Sequence, residues 1–513
     1  MLQNFFDKNI NIKVFFILAA VVFSLYGKTV FYNFVYFDDD VLILDKQNYL
    51  KTANIKNIVT DPVFARENDK YYRPVLNLSF LSDKIVYNVK PYGYHLTNVL
   101  IHLSAVFSIF LMFSLLKYDK ILSFLFTLLF AVHPSLVKAV AWIPGRNDSL
   151  LALFCVLSFY FFVKYCNNNG RYNLFFHILF FILSLFTKET AVVSVFVYIF
   201  YIIAEKYKIK KYLNIIYVWL GLITVFFVIR HFIFSYQPAD TPIYILFNSA
   251  LTNIPVLIRY TQLIIFPTDI SILASKIDIN YFHFSYTVIL FILLFFTAKN
   301  KIRLRFVIFY SLWFLLYIIP SCLVPNNNYD VHRIYLPMAG IFLLLAEISE
   351  DFYKKNTKMI SIFLIVISSI FFSISFYQTD KFKNKQIFWV NALIDNPESD
   401  VANANVAGLL ADSYRYKAAE KKYLKAISLA PKESKHYVNL AVLYIHMNNI
   451  KAAEIYLLKA LNLNSYNEMI YYNLAQIYKH DGKKEAAIAM KNKYLEIFKT
   501  QNRYDKPLEI KTE

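Results

Sequence analysis

Three carboxylates, Asp38, Asp39 and Asp40, stand side by side directly after an apolar stretch at residues 12–32. Adjacent carboxylates repel one another, so the cluster must hold protons or meet cations, a metal or water. Two readings fit: a solvated loop carrying topological charge, or a general base where an extracytoplasmic acceptor hydroxyl meets a lipid-borne donor. The triplet could also hold a divalent metal, although its spacing alone does not specify one. Groups that could meet a phosphate recur downstream: His133-Pro134 with Lys138, Trp142, Arg146 and Asp148; then Lys188-Glu189; then His332-Arg333. A cation at headgroup depth binds a lipid phosphate or snorkels to the interface. Lys188 and Glu189 could equally form a local ion pair, worth little if exposed.

The elements that must position these residues are apolar runs. Of 513 residues, 58% are hydrophobic and 17% charged, with 19% aromatic and only 8 Gly. Soluble domains run at about 25% charged, so the composition excludes an ordinary soluble enzyme and implies a polytopic membrane protein. The first run, near residues 12–32, is too long for a cleaved signal and reads as an uncleaved span. A polar-mixed interval of 62 residues, Phe34 to His95, follows it. Further spans are expected near 96–116, 121–141, 149–165, 172–187, 190–204, 213–234, 284–298, 306–323, 334–349 and 359–377, giving about eleven crossings. With the N-terminus inside, inner short loops hold 17 Lys+Arg and outer ones 7, the bias that sets orientation. That count holds only if residues 243–266, with Pro255 and Arg259, make no single net crossing. It places both the first loop and the tail after Gln378 outside the cytoplasm, with the charge clusters on that same face. Ionisable groups there are functional candidates.

The net charge of +19 divides into +7 on residues 381–513 and +12 on the rest. Neither part concentrates a basic face, so a nucleic-acid partner is not expected. Cys155, Cys166 and Cys322 show no CxxC or His pairing, which argues against a disulfide framework or a zinc site. After a linker at 379–399, the tail repeats every 34 residues: Asn405, Asn439 and Asn473; Ala407, Ala441 and Ala475; Ala419, Ala453 and Ala487. Small residues at that period mark the crossing points of tetratricopeptide (TPR) helical hairpins, three of them over 400–497, with a charged tail at 498–513. Such an array binds a partner and carries no chemistry of its own.

The order of the membrane-region runs is itself specific. Asp38-Asp39 with Ile43, Tyr72-Arg73-Pro74 leading to Tyr94-His95 and Asn98, His133-Pro134 leading to Gly145-Arg146 and Asp148, Lys188-Glu189, and more loosely His332-Arg333 with Tyr335, Pro337 and Gly340 resemble the transmembrane-and-TPR protein O-mannosyltransferases and their bacterial relatives. The resemblance covers most of the chain. It implies an all-α, GT-C-like membrane domain over residues 1–378 joined to a TPR solenoid. It also implies a polyprenyl-phosphate-linked sugar donor, membrane lipids as surroundings, and an acceptor protein or glycan reached through the repeats. Within that frame Asp38 or Asp39 is the base, Arg146, Lys188 and Arg333 steady the departing phosphate, and Arg73, His95, His133, Asp148 and Glu189 support the site. Residence in a bacterial cell membrane, or in the ER membrane with lumenal repeats, follows from the same frame. This chain departs from the family at Lys138, where a Glu is usual, which would alter specificity or weaken activity. Two other classes remain: a lipid-linked glycan ligase or polymerase, whose large outer loop would come late in the chain, and a non-enzymatic membrane-anchored TPR scaffold, which needs no charged outer connectors.

Overall fold

The computed structural model describes residues 10–44, 71–234, 243–273, 303–323 and 328–501, with isolated positions such as Thr60, Val63, Leu508 and Ile510 besides. Among them the only strand pairing is a two-residue antiparallel bridge, Ser275–Lys276 against Asn328–Tyr329, and the fold is otherwise all-α.

The membrane part begins with α1 (Ile10–Tyr26), α2 (Pro74–Tyr87), α3 (Pro91–Leu115), α4 (Lys120–Ala131), α5 (Val137–Ala141) and α6 (Arg146–Asn168). It continues through α7 (Arg171–Leu185), α8 (Ser194–Ala204), α9 (Leu213–Phe234), α10 (Ile243–Thr252), α11 (Ile254–Ile265), α12 (Leu304–Cys322), α13 (Tyr335–Lys355) and α14 (Thr357–Thr379). Local sequence explains several boundaries. Pro74 and Pro91 open α2 and α3 in the first turn, where a missing N–H costs nothing. Asp119 caps α4 by accepting from the Ile121 and Leu122 amides. His133-Pro134 interrupts the next apolar run, which bends by 53° between Lys120–Ala131 and Pro134–Ala141.

Among the described residues, seven helices are long and apolar enough to cross a membrane, and the bent pair makes an eighth, so the chain is an integral membrane protein. The expected crossings at 172–187 and 190–204 appear as shorter apolar helices, and 284–298, apart from Ser285 and Val288, lies outside the described residues. Residues 243–266 fold as two helices of 10 and 12 residues. At 1.5 Å per residue neither can cross ~30 Å of hydrocarbon alone. Val331–Lys355 lies at the centre, 83% buried, whereas Ile209–Ile233 is 22% and Thr357–Phe382 28% buried, which leaves their apolar faces to lipid. Gly340 permits this central packing, because a Cβ there would stand 2.6 Å from the Trp313 ring.

Beyond the spans come α15 (Lys385–Asp395) and three antiparallel pairs: α16 (Asp400–Asp412) with α17 (Tyr416–Leu429), α18 (Ser434–His446) with α19 (Ile450–Leu463), and α20 (Glu468–His480) with α21 (Lys484–Gln501). The alanines spaced by 34 residues are buried where the helices of each pair meet: Ala407, Ala441 and Ala475 on the first helices, Ala419, Ala453 and Ala487 on the second.

Candidate functional site

The triplet sits on a tight turn. After a 3-10 turn at Gly27–Phe31, the chain passes through Tyr36 (φ +58) and Asp38 (φ +67), both left-handed and neither glycine. Such conformations cost on the order of 1–3 kcal/mol each and persist only where the surroundings over-determine them. Here they do. Asp39 folds back, its Oδ2 accepting from the Val35 amide at 2.7 Å and its Oδ1 from the Phe37 amide at 2.8 Å. Trp142 Nε1 donates to the Phe37 carbonyl at 2.8 Å. Asp39 is 1% exposed, and burial pushes its carboxyl up to about 7 against the pull of those two amides.

Asp38, unlike Asp39, lines a cavity of about 270 Å³. Arg73, Asp148, Lys188, Glu189, Asp330, His332 and Arg333 line it too, so connectors far apart in sequence meet at one place. Arg73 grips Glu189 with two parallel bonds, Nη2 to Oε1 at 2.8 Å and Nε to Oε2 at 3.2 Å. Burial alone would lower the Arg73 pKa, but Glu189 raises it above its usual value. Lys188 Nζ lies 2.7 Å from Asp148 Oδ1, yet burial together with the nearby Arg73 and Arg333 holds the ammonium below its ordinary pKa. His332 stands between two carboxylates, Nδ1 2.7 Å from Asp330 Oδ1 and Nε2 3.6 Å from Asp148 Oδ2. Burial would raise Asp330, but His332 and Lys138 hold it well below the carboxylate range. Arg333 lines the cavity as well; burial disfavours its charge, but Tyr260, Asp330 and Asp148 close by favour it, which keeps a charged guanidinium facing the cavity.

Four residues expected at the site lie elsewhere. Asp39 is absent from the cavity lining, committed instead to its own turn. Arg146 is fully buried, its Nη2 2.5 Å from Asp83 Oδ2, its Nε donating to Asn98 Oδ1 at 2.6 Å and its Nη2 to the Tyr94 carbonyl at 2.9 Å. The approach to Asp83 is close, though not aligned as a hydrogen bond, and the guanidinium also lies 4.7 Å from the Phe80 ring centre. All of this locks α2 to α3 and α6 and leaves no donor for a phosphate. His133 is buried, its Nε2 2.9 Å from the Ile264 carbonyl and its Nδ1 accepting from the Ser135 amide, so it ties the α4–α5 break to α11. His95 is buried against the Tyr32 ring.

Lys138, where the resembled family usually has Glu, is a buried cation outside the cavity lining, 2.7 Å from Asp330 and 5.0 Å from the centre of the Trp142 ring, both of which line it. Asp330 was not singled out in the sequence, although it stands two residues before His332. No three His, Cys, Asp or Glu side chains among the described residues are placed to hold a metal, and Asp39's turn inward breaks up the triplet as a ligand set.

A tetratricopeptide repeat model matches residues 435–467 and 470–501. Human protein O-mannosyl-transferase TMTC3 is 32% identical over 170 residues, covering 32% of this chain and 18% of the relative; human TMTC2 is 34% identical over 158 residues, covering 30% and 19%. Protein O-mannosyl-transferase F38B6.6 of Caenorhabditis elegans is 24% identical over 395 residues, 72% of this chain and 55% of that protein. This chain resembles the protein O-mannosyl-transferases. It matches about a fifth of the length of the human relatives. Among solved structures, ArnT from Cupriavidus metallidurans aligns over 90% of this chain and 79% of its own, at 11% identity and a TM-score of 0.45.

Proposed function

We propose that the chain transfers a sugar from a polyprenyl-phosphate-linked donor to an acceptor hydroxyl, a protein Ser or Thr, on the extracytoplasmic face of the membrane. The observation that carries this reading is the cavity itself, which gathers Asp38 and Arg73 from the first connector, Lys188 from the α7–α8 connector and Arg333 from the one before α13. The resemblance to protein O-mannosyl-transferases supports the choice of sugar transfer. Asp38 takes the acceptor proton as its oxygen attacks the anomeric carbon in a single inverting displacement. Arg333 and Lys188 meet the charge that develops on the departing phosphate, where a dry, preorganised cation is worth most. Arg73 holds Glu189 and Asp148 holds Lys188, so both pairs keep their heads fixed at the rim of the reacting space.

The repeats present the acceptor. They follow directly on α15, which packs against Phe37, next to Asp38, so array and cavity share one end of the bundle. The test is reconstitution: the purified chain in lipid nanodiscs is given polyprenyl-phosphate mannose and Ser/Thr-containing peptides. The expected result is a peptide one hexose heavier, inverted at the anomeric carbon. Failure to modify any acceptor with a panel of polyprenyl-phosphate sugars overturns the reading.

A further inference from the structure

Helix α15 lies in the stretch expected to be a linker, yet Phe388 and Trp389 are 0% and 2% exposed. Both rings close on Phe37: Phe388 stacks at 5.6 Å between centroids, and Trp389 meets it edge-on at 5.7 Å. Trp142 stacks on the same ring at 5.1 Å. From the same helix Lys385 Nζ lies 5.2 Å from the centre of the Tyr36 ring. Thus α15 touches both residues immediately before Asp38. The Trp389 indole N–H finds no hydrogen-bond partner among the described residues, so packing holds the ring there. Away from the turn, Ala402 and Val406 of α16 share one apolar cluster with Phe388 and Trp389. Asp395 at the far end of α15 accepts from Lys381 Nζ at 2.8 and 3.0 Å and from the Ile272 amide at 3.2 Å, which anchors the helix to the membrane part.

The turn needs such a buttress. With Tyr36 and Asp38 both left-handed, it would relax toward ordinary backbone once the contacts that over-determine it were loosened. The Asp39 carboxylate and the Trp142 indole fix its backbone polar groups, and the Phe37 side chain is held by the Trp142, Phe388 and Trp389 rings, with Lys138 Nζ 5.7 Å from its ring centre. A shift of the turn would carry the Asp38 carboxylate with it, and displacement by about 1 Å costs on the order of 100-fold in rate.

We propose that Phe388 and Trp389 are positioning residues for Asp38, and that α15, standing behind the Phe37 side of the cavity, links the first repeat to the base. This rests on the reading of Asp38 as the base. The test uses the full chain in nanodiscs, comparing Phe388→Ala and Trp389→Ala with Phe388→Tyr and Trp389→Phe, which keep an aromatic ring. Two readouts run in parallel: transfer to a short peptide with the donor dissociation constant, and the rate at which a water-soluble carbodiimide labels Asp38, mapped by peptide mass. The alanine variants are expected to lose ~10- to 100-fold in turnover, with donor affinity within about threefold. They should also change the Asp38 labelling rate, and the aromatic variants should restore both. Wild-type labelling and turnover in the alanine variants overturn the proposal. Changed labelling with unchanged turnover upholds the positioning and overturns the base assignment. If the alanine variants fail to insert, Phe388→Leu, which keeps apolar volume and loses the ring stack, gives the same comparison.

Discussion

Replacing Arg146 with methionine separates a structural cation from a catalytic one. The change keeps a long apolar stem but strips a guanidinium whose side chain is 0% exposed from an Asp83 carboxylate that is 5% exposed. Removing one partner of such a pair leaves an uncompensated buried charge and costs about 3–5 kcal/mol. The loss includes the acceptors left behind, Asn98 Oδ1 and the Tyr94 carbonyl, and is not the sum of separate bonds. At ~2–4 °C per kcal/mol for a large domain, the melting point should fall by roughly 6–20 °C. Adding Asp83→Asn removes the orphan charge, so the double variant should recover a good part of that loss, with a coupling energy in the double-mutant cycle of ~0.5–3 kcal/mol. Thermal unfolding in nanodiscs gives the stability, and donor-lipid titration of the folded fraction gives affinity. Arg146→Met with an unchanged melting point but no donor binding would refute the reasoning and return Arg146 to the phosphate site.

Asp39 should matter for the fold. In Asp39→Asn the amide group must face one of the two backbone N–H groups that the carboxylate now accepts, so stability falls by about 1–3 kcal/mol. The Asp39 carboxyl is raised from 3.8 to about 7, so it holds its proton in the folded chain where the unfolded chain has released it. Its contribution is full below about pH 4 and is lost as pH rises through about 7, so wild type should lose stability relative to Asp39→Asn between about pH 4 and 7, with little further change above that, in unfolding midpoints. Lys138→Glu should destabilise by setting a carboxylate against Asp330, and adding Asp330→Lys should recover part of the loss; no recovery in melting temperature would refute the pairing. Ala441→Leu overpacks a helix crossing in the second hairpin and should cost about 1–3 kcal/mol, read by protease resistance of the repeats in the full chain.

The spans and the repeats were legible because each is a periodic signal. Apolar runs of bilayer length announce themselves, and alanines recurring every 34 residues can lie together only where helices cross. The gathering of Asp38, Lys188 and Arg333 was legible as shared placement at span ends on one face. Which of two adjacent carboxylates faces the cavity was not, since it turns on left-handed backbone at Tyr36 and Asp38, where no glycine gives warning. Arg146 has the residue type of a phosphate ligand, and only its neutralising partner Asp83, from another helix, shows otherwise. Lys138 and Asp330 are 192 residues apart, beyond the reach of any local pattern. The run Ile387-Phe388-Trp389-Val390, with Leu393 and Ile394 after it, was the signal that residues 379–399 do more than connect.

The most direct test of the account is single-turnover transfer by wild type and Asp38→Asn in nanodiscs, with the donor lipid saturating and stability checked in the same preparation. The amide keeps the shape of the side chain and removes its basicity. Loss of a general base predicts a fall of at least ~100-fold in the transfer rate with donor affinity and melting point unchanged. Transfer at the wild-type rate by Asp38→Asn would contradict the account.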